Sequence, residues 1–271
     1  SATVVSSGGG VRISSGGVAS GVSVNSGGFE TILGAGKAAG TVLSGGTEFD
    51  FGVTSGTLVL AGGHERVLRH AFASASVIGS GGIEAVSSGG VAVAPIVSGG
   101  LLVVSSGGAI TGGVSIVAGR ALISGAMAAG QQVKFAGSAG TLELANLAGF
   151  HARISGLAVS GQKIDLDGFK FSAVETATWT QSGTSGTLTV NDGAKTADLT
   201  LIGTYATSDF ALHADGKGGT FVTDPPLKAP QLVEAMAGLQ GGRDLSCAPV
   251  HAGGVALLPG PVRVAATTSG R

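Results

Sequence analysis

The chain has a single cysteine, Cys247, among its 271 residues. One thiol cannot form an internal disulfide, so a protein of this kind that works outside the cell gains its stability in another way. Charged residues are also scarce, at 11% of the chain, and the formal net charge is −1. Lysines and arginines are scattered singly, which excludes the basic patch that nucleic acids or anionic lipids require.

Aromatic residues make up only 4% of the chain, and long apolar runs are absent. Gly, Ser and Thr interrupt each apolar stretch well before the roughly 20 residues that a membrane-spanning helix needs. We therefore predict that this segment does not insert into a membrane. The chain has instead 51 glycines and a hydrophobic fraction of 43%. Disordered chains are poor in aliphatic residues, so we expect this one to fold.

A small residue followed by glycine recurs eight times in the first 140 residues. Successive glycines of this step are 17 to 20 residues apart. The eight steps are Ser7-Gly8, Ser26-Gly27, Ser44-Gly45, Ala61-Gly62, Ser80-Gly81, Ser98-Gly99, Ala118-Gly119 and Ala136-Gly137. A repeat period near 20 residues is typical of solenoids, arrays and propellers.

Aliphatic residues hold two fixed registers around this step. At the position two residues before the step stand Val5, Val24, Val42, Val59, Ile78, Ile96 and Ile116. The aliphatic residues at the position five residues after its glycine include Ile13, Ile32, Val67, Val86 and Val104. β-Branched residues favour strands, so each coil is predicted to contain two short inward-facing strands. Each strand pairs with its equivalents about 4.8 Å above and below, and stacked coils share one aliphatic core.

The glycine rhythm stops near residue 140 and divides the chain into three predicted regions. Residues 1–140 are predicted to form an all-β, parallel β-helix (β-solenoid) of about 18–19 residues per coil. Residues 141–226 carry alternating apolar runs and the hairpin signal Asn191-Asp192-Gly193, which predict a C-terminal antiparallel β cap module over the open end of the solenoid. Residues 227–271 are predicted to be a mostly irregular or mobile tail with one short helix at 231–239.

Four repeats carry a glutamate three residues after the first glycine, at Glu30, Glu48, Glu65 and Glu84. Stacked coils place these carboxylates in a ladder with about 5 Å between neighbours, where like charges repel. The four carboxylates must then be solvated or neutralised by cations, or their pKa values must be raised. Strict alternation would put the side chains inside, but four buried carboxylates are very costly, so we expect a bend that leaves them exposed. The alternative is a ladder that binds cations or a ligand.

The densest charged cluster of the repeats is His64, Glu65, Arg66, Arg69 and His70. It is the candidate catalytic site of a polysaccharide-active β-helix enzyme, because such enzymes place polar residues on one outer face. A glycosidase or lyase needs paired carboxylates, and only Glu48 and Glu84 on adjacent coils supply them. We therefore expect one variant coil with a polar outer loop and no catalytic residues.

Asp215 begins an Asp-Gly-Lys-Gly-Gly-Thr stretch. Together with Asp165, Asp167 and Asp192 it is similar to the glycine- and aspartate-rich calcium sites of secreted β-rolls. The nonapeptide pattern of those sites is absent, and Asp-Gly pairs are common in turns. The five histidines and the cysteine have no zinc-ligand spacing. We predict no cofactor and no metal, with calcium as the alternative.

Three stretches carry the repeat most clearly: Gly-Val-Ser-Val-Asn-Ser-Gly-Gly at 21–28, Gly-Gly-Ile-Glu-Ala-Val-Ser-Ser-Gly-Gly at 81–90 and Gly-Gly-Leu-Leu-Val-Val-Ser-Ser-Gly-Gly at 99–108. About half of the chain resembles the strand-loop-strand repeats of autotransporter passenger domains of the diffuse-adherence adhesin type. The resemblance implies a secreted or cell-surface β-helix, right-handed in that family, that serves adhesion, autoaggregation or biofilm formation. It also implies heptose on repeat serines, which map here to Ser26, Ser44, Ser80, Ser88, Ser98 and Ser106.

We therefore expect a non-enzymatic, extracellular bacterial surface protein, an adhesin-like passenger or stalk. Its expected partners are glycans or proteins of host or neighbouring cells, or other copies of itself, and not nucleic acid. Two alternatives stay open. One is a β-helical polysaccharide lyase or hydrolase centred on residues 64–70, and the other is a structural component of a surface layer or filament.

Overall fold

The computed structural model describes residues 3–224, which form about nine stacked parallel β-coils followed by an antiparallel module. The predicted all-β solenoid is confirmed, and the described residues contain no α-helix. Short apolar runs form the strands, because alternate side chains turn inward, and glycine turns separate them. Among residues 3–224, no helix is long and apolar enough to cross a membrane.

Each of the first five coils has three short strands, and the later coils merge or lose some of them. In chain order the coil strands are β1 (Val4–Val5), β2 (Gly10–Ile13), β3 (Val18–Ser20), β4 (Ser23–Asn25), β5 (Phe29–Ile32), β6 (Lys37–Ala39), β7 (Val42–Ser44), β8 (Thr47–Asp50), β9 (Val53–Ser55), β10 (Leu58–Val59), β11 (His64–Val67), β12 (Phe72–Ser74), β13 (Val77–Gly79), β14 (Ile83–Val86), β15 (Val91–Val93), β16 (Ile96–Val104), β17 (Ala109–Thr111), β18 (Val114–Ile123), β19 (Gln132–Phe135), β20 (Gly140–Leu144), β21 (Arg153–Ser155) and β22 (Gln162–Leu166).

The third strand of each coil corrects the prediction of two. Strands β3, β6, β9, β12, β15 and β17 pair only with one another, as a separate six-stranded parallel sheet. Their inward residues are small, such as Ala38, Ala73 and Ala92, all buried. Alanine carries little strand signal, so the pattern of large aliphatic residues does not reveal these strands.

The first strand of each coil follows the predicted register at five of seven positions. Parallel pairing joins Val5 to Val24 and Val59 to Ile78 as expected. At the two other coils the inward residue is one position later, at Leu43 and Val97, both fully buried. In the sixth coil the pairing carries a β-bulge just after Val97, which accounts for a local shift of register.

Parallel pairing continues beyond residue 140. Strand β19 pairs with β21 and β20 with β22, so the stack extends to Leu166, past the predicted solenoid region of 1–140. The antiparallel module then contains β23 (Thr176–Ser182), β24 (Ser185–Asn191), β25 (Thr196–Ile202), β26 (Ala211–Ala214) and β27 (Thr220–Thr223). Two short 3₁₀ turns, Leu147–Gly149 and Thr207–Asp209, complete the described elements.

The antiparallel module covers the last coil, as predicted from the need to protect open strand edges. Strand β25 pairs parallel to β21, and β27 pairs antiparallel to β22. The predicted hairpin joins β24 to β25. A cluster of Trp179, Tyr205 and Phe210, with ring centroids 5.2–5.7 Å apart, packs against the core of the module. The predicted tail, with its helix at 231–239, lies outside the described residues.

Candidate functional site

The glutamate ladder lies inside the solenoid. Parallel pairing places Glu30 opposite Glu48, Glu48 opposite Glu65, and Glu65 opposite Glu84. Each of the four side chains is 0% exposed, so the prediction that this row faces solvent is wrong. The expected bend is absent because simple alternation holds: Glu30 and Ile32 in β5 are both buried, with a partly exposed residue between them.

Asp50 is a fifth buried carboxylate that the sequence reasoning missed. It pairs with Ile32 on one side and Val67 on the other, where the repeat otherwise has an inward aliphatic residue. Its side chain is 0% exposed. Three carboxylate oxygens, one from each of Glu48, Asp50 and Glu65, lie within 4.8 Å of one another. The sequence does mark this site: an aspartate stands five residues after the glycine of the step, where the neighbouring coils have isoleucine or valine.

Hydroxyl groups from other parts of the coils face this ladder. The Thr41 hydroxyl donates to Glu30 Oε2 at 2.9 Å. The hydroxyls of Thr54 and Ser76 donate to Glu65 Oε1 at 3.3 and 3.1 Å. The remaining eight carboxylate oxygens of the column have no hydrogen-bond partner among residues 3–224: Glu30 Oε1, Glu65 Oε2 and both oxygens of Glu48, Asp50 and Glu84.

Burial dominates the electrostatics of the column. It raises the pKa of Asp50 to about 7 and that of Glu84 to about 8, because a charged carboxylate is poorly solvated in the interior. Burial also raises the pKa values of Glu48 and Glu65 well above the usual range, and the negative charge of neighbouring carboxylates raises them further. The pKa of Glu30 is raised by burial, and its hydrogen bond from Thr41 opposes the shift.

The candidate catalytic cluster is divided between two faces of strand β11. His64 and Arg66 are exposed on the outer face, whereas Glu65 points into the core. Arg69 and His70 lie in the next turn, also exposed. The Arg66 guanidinium lies over the Phe49 ring, 5.8 Å from its centroid, beside a groove of about 340 Å³. The structure therefore separates the carboxylate of the cluster from its outward cationic groups.

The aspartates of the calcium alternative lie apart: Asp165 is in β22, Asp167 follows it, and Asp192 and Asp215 are in two separate turns. Asp215 accepts hydrogen bonds from the backbone N–H of Lys217 at 2.6 Å and of Gly219 at 2.7 Å. Asp192, between β24 and β25, accepts from backbone N–H groups of its own turn. These hydrogen bonds lower the pKa of both carboxyls. Asp165, Asp167 and Asp215 border one groove of about 290 Å³, and calcium there stays a prediction.

The repeat serines lie on the outside of the coils. All six predicted heptose positions are exposed: Ser26, Ser44, Ser80, Ser88, Ser98 and Ser106. Ser26, Ser80, Ser88 and Ser106 lie in turns, whereas Ser44 ends β7 and Ser98 lies within β16. Heptose at these positions stays a prediction.

The sheet of third strands presents a continuous outward row that the sequence reasoning did not identify. Pairing joins its members in register across six coils: Val18, Lys37, Val53, Phe72, Val91 and Ala109. We call this set the outer row. Three of its four large apolar members are exposed, Val18 at 74%, Phe72 at 49% and Val53 at 41%, whereas Val91 is half-buried.

Comparisons with known proteins return few matches. No protein-family model and no curated protein matches the chain. Among solved structures, the chain is similar to the crystal structure of a hyperglycosylated TibA fragment whose glycosylation was catalysed by TibC, with 28% sequence identity and a TM-score of 0.41. The match covers 59% of this chain and 58% of that chain, so this chain spans less than two thirds of it.

Proposed function

We propose that this chain is the adhesin-like β-solenoid of a secreted or cell-surface protein, and that it acts without catalysis by associating with other copies of itself. The observation that carries the proposal is the outer row. Clustered large apolar side chains that stay exposed on a folded surface mark interaction sites. Here Val53 and Phe72 lie side by side on neighbouring strands, about 4.8 Å apart, and Val18 lies two strands from Val53 in the same row.

A repeating face suits contact between two identical stacks. Each copy presents the same row at the same spacing, so one alignment brings many equivalent side chains together. Lys37 is the only charged member of the row, and the chain as a whole has a net charge of −1. Long-range repulsion between copies is therefore weak. Such contact between cells or secreted chains produces autoaggregation.

Removing the apolar side chains of the outer row should weaken self-association. Burying Val or Phe contributes about 1.5–3 kcal/mol each, so the double variant Val53→Ser/Phe72→Ser should lower the association constant at least about tenfold. Analytical ultracentrifugation measures self-association in solution, and aggregation of protein-coated beads measures it between surfaces. The matched control is Phe171→Ser/Val174→Ser, which removes two exposed apolar side chains of the antiparallel module and should leave association unchanged.

Three results would contradict the proposal. Equal aggregation of wild type and both double variants would show that the outer row is not the contact. Cleavage of any member of a panel of acidic and neutral polysaccharides would favour the enzyme alternative. Binding of immobilised glycans by the row, without self-association, would replace the proposed partner.

We also propose that the six exposed repeat serines carry sugars. The support is their exposure on the outside of the coils, where a modifying enzyme can reach the hydroxyl. The intact mass of protein from its native host should then show increments of one sugar unit, and Ser88→Ala/Ser106→Ala should remove up to two of them. Ser76, which is buried, should be unmodified, and a native mass equal to that of the bare chain would refute modification.

A further inference from the structure

We propose that the interior of the third and fourth coils binds one divalent cation, of the size and hardness of Ca²⁺, through the carboxylates of Glu48, Asp50 and Glu65. The site lies in the core, apart from the outer row, and does not depend on the proposed adhesive function. It differs also from the aspartate turns of the antiparallel module.

The donor atoms and the burial of the cluster indicate the cation. Its three oxygens lie within 4.8 Å of one another, close enough to bind one metal ion together. A closed site suits Ca²⁺ better than Mg²⁺, because Mg²⁺ dehydrates reluctantly and usually keeps several waters. Carboxylate oxygens are the ligands that such hard cations prefer. The Thr54 hydroxyl, 3.3 Å from Glu65 Oε1, adds a neutral oxygen at the edge of the cluster.

A second observation lies outside the cluster. Glu84, on the fifth coil, pairs in register with Glu65, is 0% exposed, and has no partner for either oxygen among residues 3–224. It is an unpartnered buried carboxylate on the next coil beside the cluster. In the same part of the chain the only ion pair is that of Arg120 with Glu143, so no basic side chain neutralises the column.

A cation can take the place of protons in this arrangement. An isolated buried charge is very costly, so a buried carboxylate is paired, bound to a metal or kept protonated. One dication offsets two of the charges and ligates several unpartnered oxygens at once. Since the five carboxylates are closed off from solvent, the cation enters while the coils stack, and binding is coupled to folding.

The test begins with the unmodified chain. The protein is refolded from denaturant with Ca²⁺ or with a chelator, passed through a desalting column, and analysed for metal by mass spectrometry. We expect about one Ca²⁺ per chain after refolding with Ca²⁺, and a melting temperature at least about 5 °C above that of the chelated sample. No retained metal together with no shift in melting temperature would overturn the proposal.

A variant pair locates the site and gives a second readout. Glu48→Gln keeps the shape of the side chain and should lose the bound Ca²⁺, whereas Asp198→Asn, at an exposed carboxylate of β25, should retain it. In Ca²⁺ buffer Glu48→Gln should melt lower than wild type. If the column holds no cation, the same substitution removes a repelling charge and raises the melting temperature. Equal Ca²⁺ retention in both variants would also refute the site.

Discussion

In the presence of a chelator, the protein should melt at least about 10 °C lower at pH 8 than at pH 5. The cause is the buried column, in which Glu84 is faced by Glu65 and Asp50, with Glu48 and Glu30 on the coils beyond. The pKa of Glu84 rises from 4.5 to about 8 on folding, and that of Asp50 from 3.8 to about 7.

The direction follows from which state holds the proton. Near pH 4 and below, both the folded and the unfolded chains are largely protonated at Glu84. Between pH 4.5 and 8 the unfolded chain releases this proton while the folded chain keeps it, so the free energy of unfolding falls as pH rises. For each such group, the free energy of unfolding falls by up to about 1.4 kcal/mol per pH unit. Over three pH units one group accounts for about 4 kcal/mol, or about 10 °C for a domain of this size.

Thermal unfolding followed by circular dichroism at a series of pH values measures the effect. Glu84→Gln carries no titrating proton and should flatten the profile, whereas Asp198→Asn should leave it unchanged. A chelated wild-type protein that is more stable at pH 8 than at pH 5 would show that the column does not govern stability in this range.

Gly90→Ala should lower the free energy of unfolding by about 3 kcal/mol and the melting temperature by about 6–12 °C. Gly90 lies in the turn between β14 and β15, directly above the preceding coil. A methyl group there would lie 2.6 Å from the carbonyl oxygen of Val67 and 2.9 Å from that of Leu68. Both are backbone atoms of the coil below, so relief requires the two coils to separate at this corner.

Gly130→Ala is the matched control for this substitution. Apart from its two chain neighbours, no residue of the described range 3–224 has an atom within 4 Å of the methyl group it would add, and its φ angle is not positive. Alanine there should leave stability unchanged or raise it slightly, because it restricts the unfolded chain. Equal melting temperatures for Gly90→Ala and wild type would show that coil stacking is looser at this corner than the structure indicates.

Local repetition made the solenoid predictable. The period of the small-Gly step and the aliphatic register are properties of neighbouring residues, so the stacked parallel coils and most inward positions follow from them. Leu43 and Val97 were missed because register shifts by one residue in their coils, as at the β-bulge after Val97. The third strand was missed because alanine and threonine fill its inward positions.

The position of the carboxylates was mispredicted for a different reason. Alternation alone places Glu65 inside, but a general rule on the cost of buried charge led to the opposite expectation. Thr54 and Ser76, whose hydroxyls reach Glu65, are each 11 residues away from it in the chain. Asp50, which completes the cluster, belongs to a different coil from Glu65. Contacts between strands that cross the interior are invisible to a local pattern.

The sequence by itself determined the coil, its period and its aliphatic inward register, because these depend on residues two to twenty positions apart that repeat along the chain. Only the tertiary structure decided what chemistry the interior holds. The third strands of the first six coils and the corners that follow them close the interior and bring the hydroxyls of Thr41, Thr54 and Ser76 to the glutamates. Stacking brings carboxylates of successive coils together. The same stacking aligns Val53 and Phe72 into the outer row.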